Sequence, residues 1–236
     1  MGSRGRVRSG ENAPTSGVYS NVDSHYTPMS DEDREIVAGG SNWSTRYFQS
    51  STSFEINDAL RTIAETGESL PNALIDAGVW ESDVADVVET INTMDRNMRP
   101  IDKSMNVVRL VDDDYTDKVL GSLGVSNEVL REIGNIRWSG RFPDSAIKEI
   151  SDKIIGARVT ESGFMSSTYN LSLDDSAFGM RGVKLDFDVP KNTNGMFSPT
   201  SSESEFVFAR GTKYEFTNVS FDPNDRRLIL KVKIVK

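Results

Sequence analysis

Hydrophobic residues in the first part of this chain recur at helical spacing, and those in the last third alternate. In "SDEDREIVAGG", Ser30 stands ahead of three acidic residues, the order of an N-cap and first turn, which predicts a short helix ending near Gly39. In "SSTSFEINDALRTIAETGESL" the stripe of Ile56, Leu60 and Ile63 predicts a helix capped by Ser53 and stopped at Gly67. A shorter helix with Pro71 near its first turn follows. Then comes "ESDVADVVETINTMDRNM", where Val84, Val87, Val88, Ile91 and Met94 share one face. That face reads as core.

The texture changes at Pro100. "MNVVRLV" is a β-branched run of strand length, residues 114 to 135 read as helical, and "PDSAIKEISDKII" reads as one more helix with Asp144 or Ser145 near its cap. Strand patterns dominate afterwards in "ARVTESGFMSSTY", "GVKLDFDV", "SEFVFARGTKYEFTNVSFD" and "RRLILKVKIVK". In "VKLDFDV" and "LILKVKIV" the period is two, with one apolar face and one charged face. Helices first and strands later predict an α+β fold. The start of the chain is rich in Gly, Ser, Asn, Thr and Pro, so the expected organisation is a flexible arm over residues 1–40 and a single domain over 41–236.

Composition narrows the chemistry. The 236 residues suffice for a sizeable core, and no run approaches the ~20 apolar residues of a membrane span. The N-terminus carries arginines but no apolar stretch of a standard secretory signal, so export would need another route or the prior removal of a leader. A net charge of −9 argues against a nucleic-acid partner held through its phosphates. There is no cysteine, which excludes disulfides and thiolate catalysis, and the one histidine, His25, sits in a polar stretch. A Ser-His-Asp triad or a multi-histidine metal site is not expected, and no metal is called for. Carboxylates, hydroxyls, arginine, lysine and tyrosine remain.

Against that inventory, "ESEFVF" places Glu203 and Glu205 on one face of one strand, their Cα atoms roughly 6.5 to 7 Å apart. A solvated edge is the plain reading of such a pair. Like charges this close also raise one another's pKa, which suits an active site. A glycosidase pair normally flanks its bond from opposite sides, so two carboxylates on one strand fit a division of labour instead. Upstream, "GFMSSTYN" sets three hydroxyls in a row, with Ser166 and Thr168 on one face and Ser167 on the other. "VVRLV" puts Arg109 inside an apolar strand, and arginine's planar fork suits a diphosphate.

Taken in order, "VVRLV", "FMSST" and "ESEFVFARGTKYEF" resemble the bacterial ADP-ribosyltransferase exoenzyme family, which includes the catalytic components of binary toxins and related bacteriophage transferases. The family pattern is an aromatic-Arg-Gly strand, a Phe-x-Ser-Thr-Ser strand, and Glu-x-Glu followed by Gly-Thr-Lys and an aromatic. "FEINDALR" is similar to the family's helix entry and "VPKNTNGMF" to its link between strands, so the likeness spans about residues 45 to 221. Val108 and Leu110 replace the aromatic and the glycine, and Ser-Ser-Thr replaces Ser-Thr-Ser. The literal Ser-Thr-Ser at residues 51–53 opens a predicted helix and reads as a cap.

The resemblance implies N-terminal helices followed by a mixed or antiparallel two-sheet β core. It implies mono-ADP-ribosyl transfer from NAD, as substrate, to an arginine of a target or host protein. Glu205 would sit beside the oxocarbenium ion and hold a ribose hydroxyl, with Ser166 orienting it. Arg109 would hold the NAD diphosphate, Ser167 and Thr168 would support the strand and the nicotinamide pocket, and Phe178 would stack. Glu203 would receive the proton of the attacking guanidinium. Delivery into another cell and a monomeric state accompany this reading. Its alternatives are an NAD glycohydrolase using the same site, or a non-catalytic module of the same fold.

Overall fold

The computed structural model describes residues 27–39, 44–48, 50–170, 181–199 and 204–235. Four helices come first: α1 (Asp31–Ala38), α2 (Thr52–Thr66), α3 (Leu70–Asp76) and α4 (Val84–Asn97). The Ser30 hydroxyl caps α1 by accepting from the Asp33 backbone N–H at 3.0 Å. Residues 31–38, assigned above to the flexible arm, are instead part of the packed structure. Val37 is fully buried, and Asp33 binds the Arg96 guanidinium of α4 at 2.6 Å. Gly67 ends α2 in the left-handed conformation, as expected. Ser53 is not its cap; α2 begins at Thr52, and the Ser53 hydroxyl donates to the Ser50 carbonyl.

Strands β1 (Arg99–Pro100) and β2 (Met105–Val111) follow, then α5 (Asp113–Tyr115), which runs on into a π-helical turn over Thr116–Leu120. The helix expected over 114–135 is broken. Gly124 takes a left-handed φ of 88°, and Ser126 then caps a new helix, α6 (Asn127–Ser139). Helix α7 (Asp144–Ile154) precedes the remaining strands: β3 (Arg158–Glu161), β4 (Met165–Thr168), β5 (Val183–Val189), β6 (Asn194–Phe197), β7 (Glu205–Phe208), β8 (Thr212–Asp222) and β9 (Arg227–Val235).

The helices-then-strands order bears out the α+β class. Hydrogen bonds connect the nine strands of the described residues in the order β1-β6-β7-β4-β2-β5-β9-β8-β3, so the two sheets expected are one continuous sheet. Only β5 and β9 run parallel. The junction between its halves is narrow: β2 and β4 meet through a single registered pair, Val108 and Thr168.

Two apolar clusters cover the sheet, and the first takes residues from both halves, Val107 and Leu185 from one and Met165, Phe206 and Phe208 from the other. One packs α6 and α7 against the strands through Ile133, Ile150, Leu185, Phe216 and Leu230. The other packs α1–α4 through Val37, Ile56, Leu74 and Ile91 onto Phe164, Met196 and Val207. Strand β7 serves both, with Phe206 and Phe208 in the first cluster and Val207 in the second. A strand buried on both faces has little freedom to slip, because a one-residue shift exchanges every side chain between clusters.

Neighbouring β6 fits closely because of Gly195. A Cβ there would lie 2.2 Å from the Phe206 ring and 2.7 Å from the Val207 carbonyl oxygen. Gly195→Ala therefore lowers the free energy of unfolding by ~1–3 kcal/mol, to be read from urea denaturation.

Candidate active site

Strands β4 and β7 pair antiparallel, with Ser166 opposite Val207 and Thr168 opposite Glu205. Directly paired residues project to the same face, so Ser166, Thr168 and Glu205 share one side of the sheet. Ser167 points the other way, and its buried hydroxyl donates to the Phe206 carbonyl at 2.7 Å. That bond ties β4 to β7 and keeps Ser167 off the Ser166 face; it fits strand support rather than contact with a ligand.

Glu205 begins β7, directly after Ser204. Ser204 has a φ of 50°, in the left-handed region that costs a residue with a side chain ~1–3 kcal/mol. The bonds accepted by its carbonyl, from the Tyr169 N–H at 3.0 Å and the Thr168 hydroxyl at 3.2 Å, hold it there. On the other flank the Ser198 N–H donates to the Glu205 carbonyl at 2.9 Å. The carboxylate is thus carried on backbone pinned from both sides.

Tyr47 joins this face from the segment before α2. Its hydroxyl lies 3.3 Å from the Ser166 hydroxyl and accepts from Asn57 Nδ2 at 3.3 Å. Asn57 in turn accepts the Phe164 N–H at 2.7 Å, at the entry to β4. One turn along α2, Arg61 forms a two-point ion pair with Glu161, Nε to Oε1 at 3.0 Å and Nη2 to Oε2 at 3.3 Å, and Glu161 also accepts the Gly163 N–H. Helix α2 therefore grips both ends of the β3–β4 connection. Burial pushes the Tyr47 phenol up to about 12, the Ser166 bond opposing this and the nearby Glu205 charge adding to it.

Across the sheet junction, Arg109 on β2 donates from Nη1 to the Ser166 carbonyl at 2.6 Å. Its Nε is buried with no hydrogen-bond partner among the described residues. A second guanidinium is close. Arg181, just ahead of β5, donates to the Leu110 carbonyl at 2.9 Å, and its pKa is lowered by burial and by the Arg109 charge, against the pull of Asp112. Two arginines held near one another favour an anion with two negative groups. Beneath them the buried hydroxyls of Tyr115 and Tyr214 meet at 2.5 Å.

Five of the residues expected from the sequence are described: Arg109, Ser166 and Glu205 converge, Thr168 lies beside Glu205, and Ser167 faces away. Glu203 and Phe178 lie outside the described residues. Tyr47, Asn57, Arg61 and Arg181 carry no local signal that marks them as site residues, although "FEINDALR" contains two of them. Among the described residues no group of three His, Asp or Glu side chains is placed to hold a metal ion.

The sequence profile described as ADP-ribosyltransferase exoenzyme matches residues 42–236. No curated protein matches the sequence. Among solved structures, a C3-type protein from S. aureus, determined with NAD, is similar at 18% identity and a TM-score of 0.65, covering 98% of this chain and 100% of that one. A C3-type ADP-ribosyltransferase from Clostridium botulinum is similar at 19% identity and a TM-score of 0.63, covering 95% and 96%. The Clostridium limosum C3 exoenzyme gives 18% and 0.58, covering 92% and 96%. These three likenesses establish a common fold.

The buried phenols give the site a pH signature. Burial raises Tyr47, Tyr115 and Tyr214 alike, so the fold favours their neutral forms. Their contribution is complete below the unfolded value near 10 and is lost as pH rises through the folded values. For Tyr47 a displacement from 10 to about 12 corresponds to about 2–3 kcal/mol. Urea unfolding should show stability declining above pH ~10, with a shallower decline in Tyr47→Phe.

Proposed function

This chain belongs to the ADP-ribosyltransferase exoenzyme family, and on that premise we propose that it transfers ADP-ribose from NAD to an arginine side chain of a target protein, releasing nicotinamide. The observation that carries the reading is the convergence on one sheet face of Glu205, Ser166 and Tyr47, with Arg109 bonded to the Ser166 backbone.

In this reaction the bond from ribose C1′ to the nicotinamide nitrogen breaks, and its electron pair leaves with a neutral pyridine. Positive charge develops on the ribose. Glu205 supplies the compensating negative charge and accepts a hydrogen bond from a ribose hydroxyl. A preorganised carboxylate does this without rearranging during the step, and the pinned backbone around Glu205 provides that preorganisation. Ser166, held by Tyr47, orients the carboxylate, and Tyr47 stays a neutral phenol throughout the physiological range. Arg109 and Arg181 take the diphosphate, and the buried Arg109 Nε is a donor available for it.

The acceptor assignment rests on the sequence. Glu203 stands two residues before Glu205, ahead of the start of β7 and separated from it by the left-handed Ser204, so its nearness in sequence and not strand alternation supports the assignment. A guanidinium has a pKa above 12 and attacks C1′ only as it loses a proton, which Glu203 receives. Water in place of the guanidinium turns the same site into an NAD glycohydrolase.

Isotopically labelled NAD, incubated with a cell lysate and separately with a small guanidino compound, separates these outcomes. The wild-type chain is expected to label both acceptors. Glu205→Ala should cut turnover by ~10²–10³. Glu203→Gln should abolish labelling while nicotinamide release persists. Nicotinamide release without label on either acceptor would establish the glycohydrolase instead. Absence of both NAD turnover and NAD binding would leave a non-catalytic member of the family.

A further inference from the structure

Helices α2–α4 bury one side against Phe164, Met196 and Val207 and turn the other to solvent. On the outer side Trp80, which links α3 to the short turn Glu81–Asp83, is 77% exposed, and Ile75 on α3 is 42% exposed. Neither side chain contributes appreciably to the core. From Thr62 to Asp95 the chain contains eight carboxylates and no lysine, arginine or histidine. This one segment thus carries a charge of −8 in a chain whose net charge is −9.

Two of those carboxylates are neutralised locally, Glu89 by Arg96 at 3.0 Å and Asp95 by Arg210 at 2.5 Å. The other six, including Asp76, Glu81, Asp83 and Asp86 around Trp80, form no ion pair among the described residues. Glu55 of α2 reaches the same loop, its Cγ 3.9 Å from where a Cβ on Gly78 would stand. Its Oε2 is buried with no hydrogen-bond partner among the described residues. Uncompensated like charges oppose folding, and an exposed tryptophan does nothing for it. Both are suited to a cationic partner, because an indole face attracts ammonium and guanidinium groups and the surrounding carboxylates add to the attraction.

We infer that the outer face of α3 and the loop through Trp80 is a docking surface for a lysine- and arginine-rich protein segment, with Trp80 as its anchor. Anionic membranes and nucleic acids are repelled by the same field. A second copy of the chain, itself at −9, is poorly matched to it. The inference goes beyond the transferase reading and does not depend on it, since no residue of the candidate active site takes part.

The test uses the full chain and a fluorescein-labelled peptide of repeated Lys-Lys-Leu triplets, with binding followed by fluorescence anisotropy at low and high salt. A Glu-Glu-Leu peptide serves as the reverse-charge control. Trp80→Ala and Glu81→Lys should each weaken binding about tenfold. Asp188→Lys, an exposed carboxylate on β5, should leave binding unchanged. Nicotinamide release should be the same in all three variants, so that loss of docking and loss of catalysis are read separately. Absence of binding to the wild-type chain overturns the inference. So does equal loss in the Asp188 variant, or binding indifferent to both Trp80 and Glu81.

Discussion

The antiparallel register of β4 with β7 is the constraint on which the site depends. Because Thr168 lies opposite Glu205 and Ser166 opposite Val207, hydroxyl and carboxylate chemistry appears on a single face. That register is secured from both sides of the sheet. Phe206 and Phe208 enter one cluster and Val207 the other, so displacing β7 by one residue would drive Glu205 into an aromatic core. The expense of burying an unpaired carboxylate makes that alternative inaccessible. Ordinary packing thereby fixes where the Glu205 carboxylate sits.

Electrostatics divides the site into two ends. At one, the Arg109 hydrogen bond goes to a backbone carbonyl rather than a carboxylate, which leaves its positive charge available to a ligand. Arg181 adds a second charge, its basicity lowered chiefly by burial and further by the Arg109 charge. At the other end stands Glu205, with neutral hydroxyls around it. A dinucleotide diphosphate joined to a ribose that becomes cationic presents the complementary order of charge. This match is a stronger support for NAD as substrate than either arginine or glutamate considered singly.

Much of this was legible in the sequence, for identifiable reasons. Alternation in "FMSST" placed Ser166 and Thr168 together and Ser167 apart, since strand period survives folding unchanged. The stripes of α2 and α4 likewise marked Ile56, Leu60, Val87, Ile91 and Met94, which are buried, while Ile63, Val84 and Val88 on the same stripes are only half-buried. Tyr47 was hidden because its partner Ser166 lies 119 residues away and no local pattern links them. Arg181 follows a segment with no apolar period, so nothing in its surroundings marked it. The break at Gly124 was missed because helical residues flank it on both sides, and only the following Ser126 cap signals a restart. Strand order, and with it the union of two sheets into one, is a property of long-range pairing that local periodicity does not encode.

The narrow junction at Val108 and Thr168 bears on how the site comes into being. Arg109 belongs to the half of the sheet built on β2, β5, β9, β8 and β3, whereas Ser166 and Glu205 belong to the half built on β4, β7, β6 and β1. Each half has its own strand pairings and only one registered pair joins them, although the first cluster and the Arg61–Glu161 ion pair span both halves. A chain with a single half in place possesses either Arg109 or the pair of Ser166 and Glu205, but not both. The constellation therefore needs both halves together, and the Arg109 bond to the Ser166 carbonyl is itself a tie across their junction.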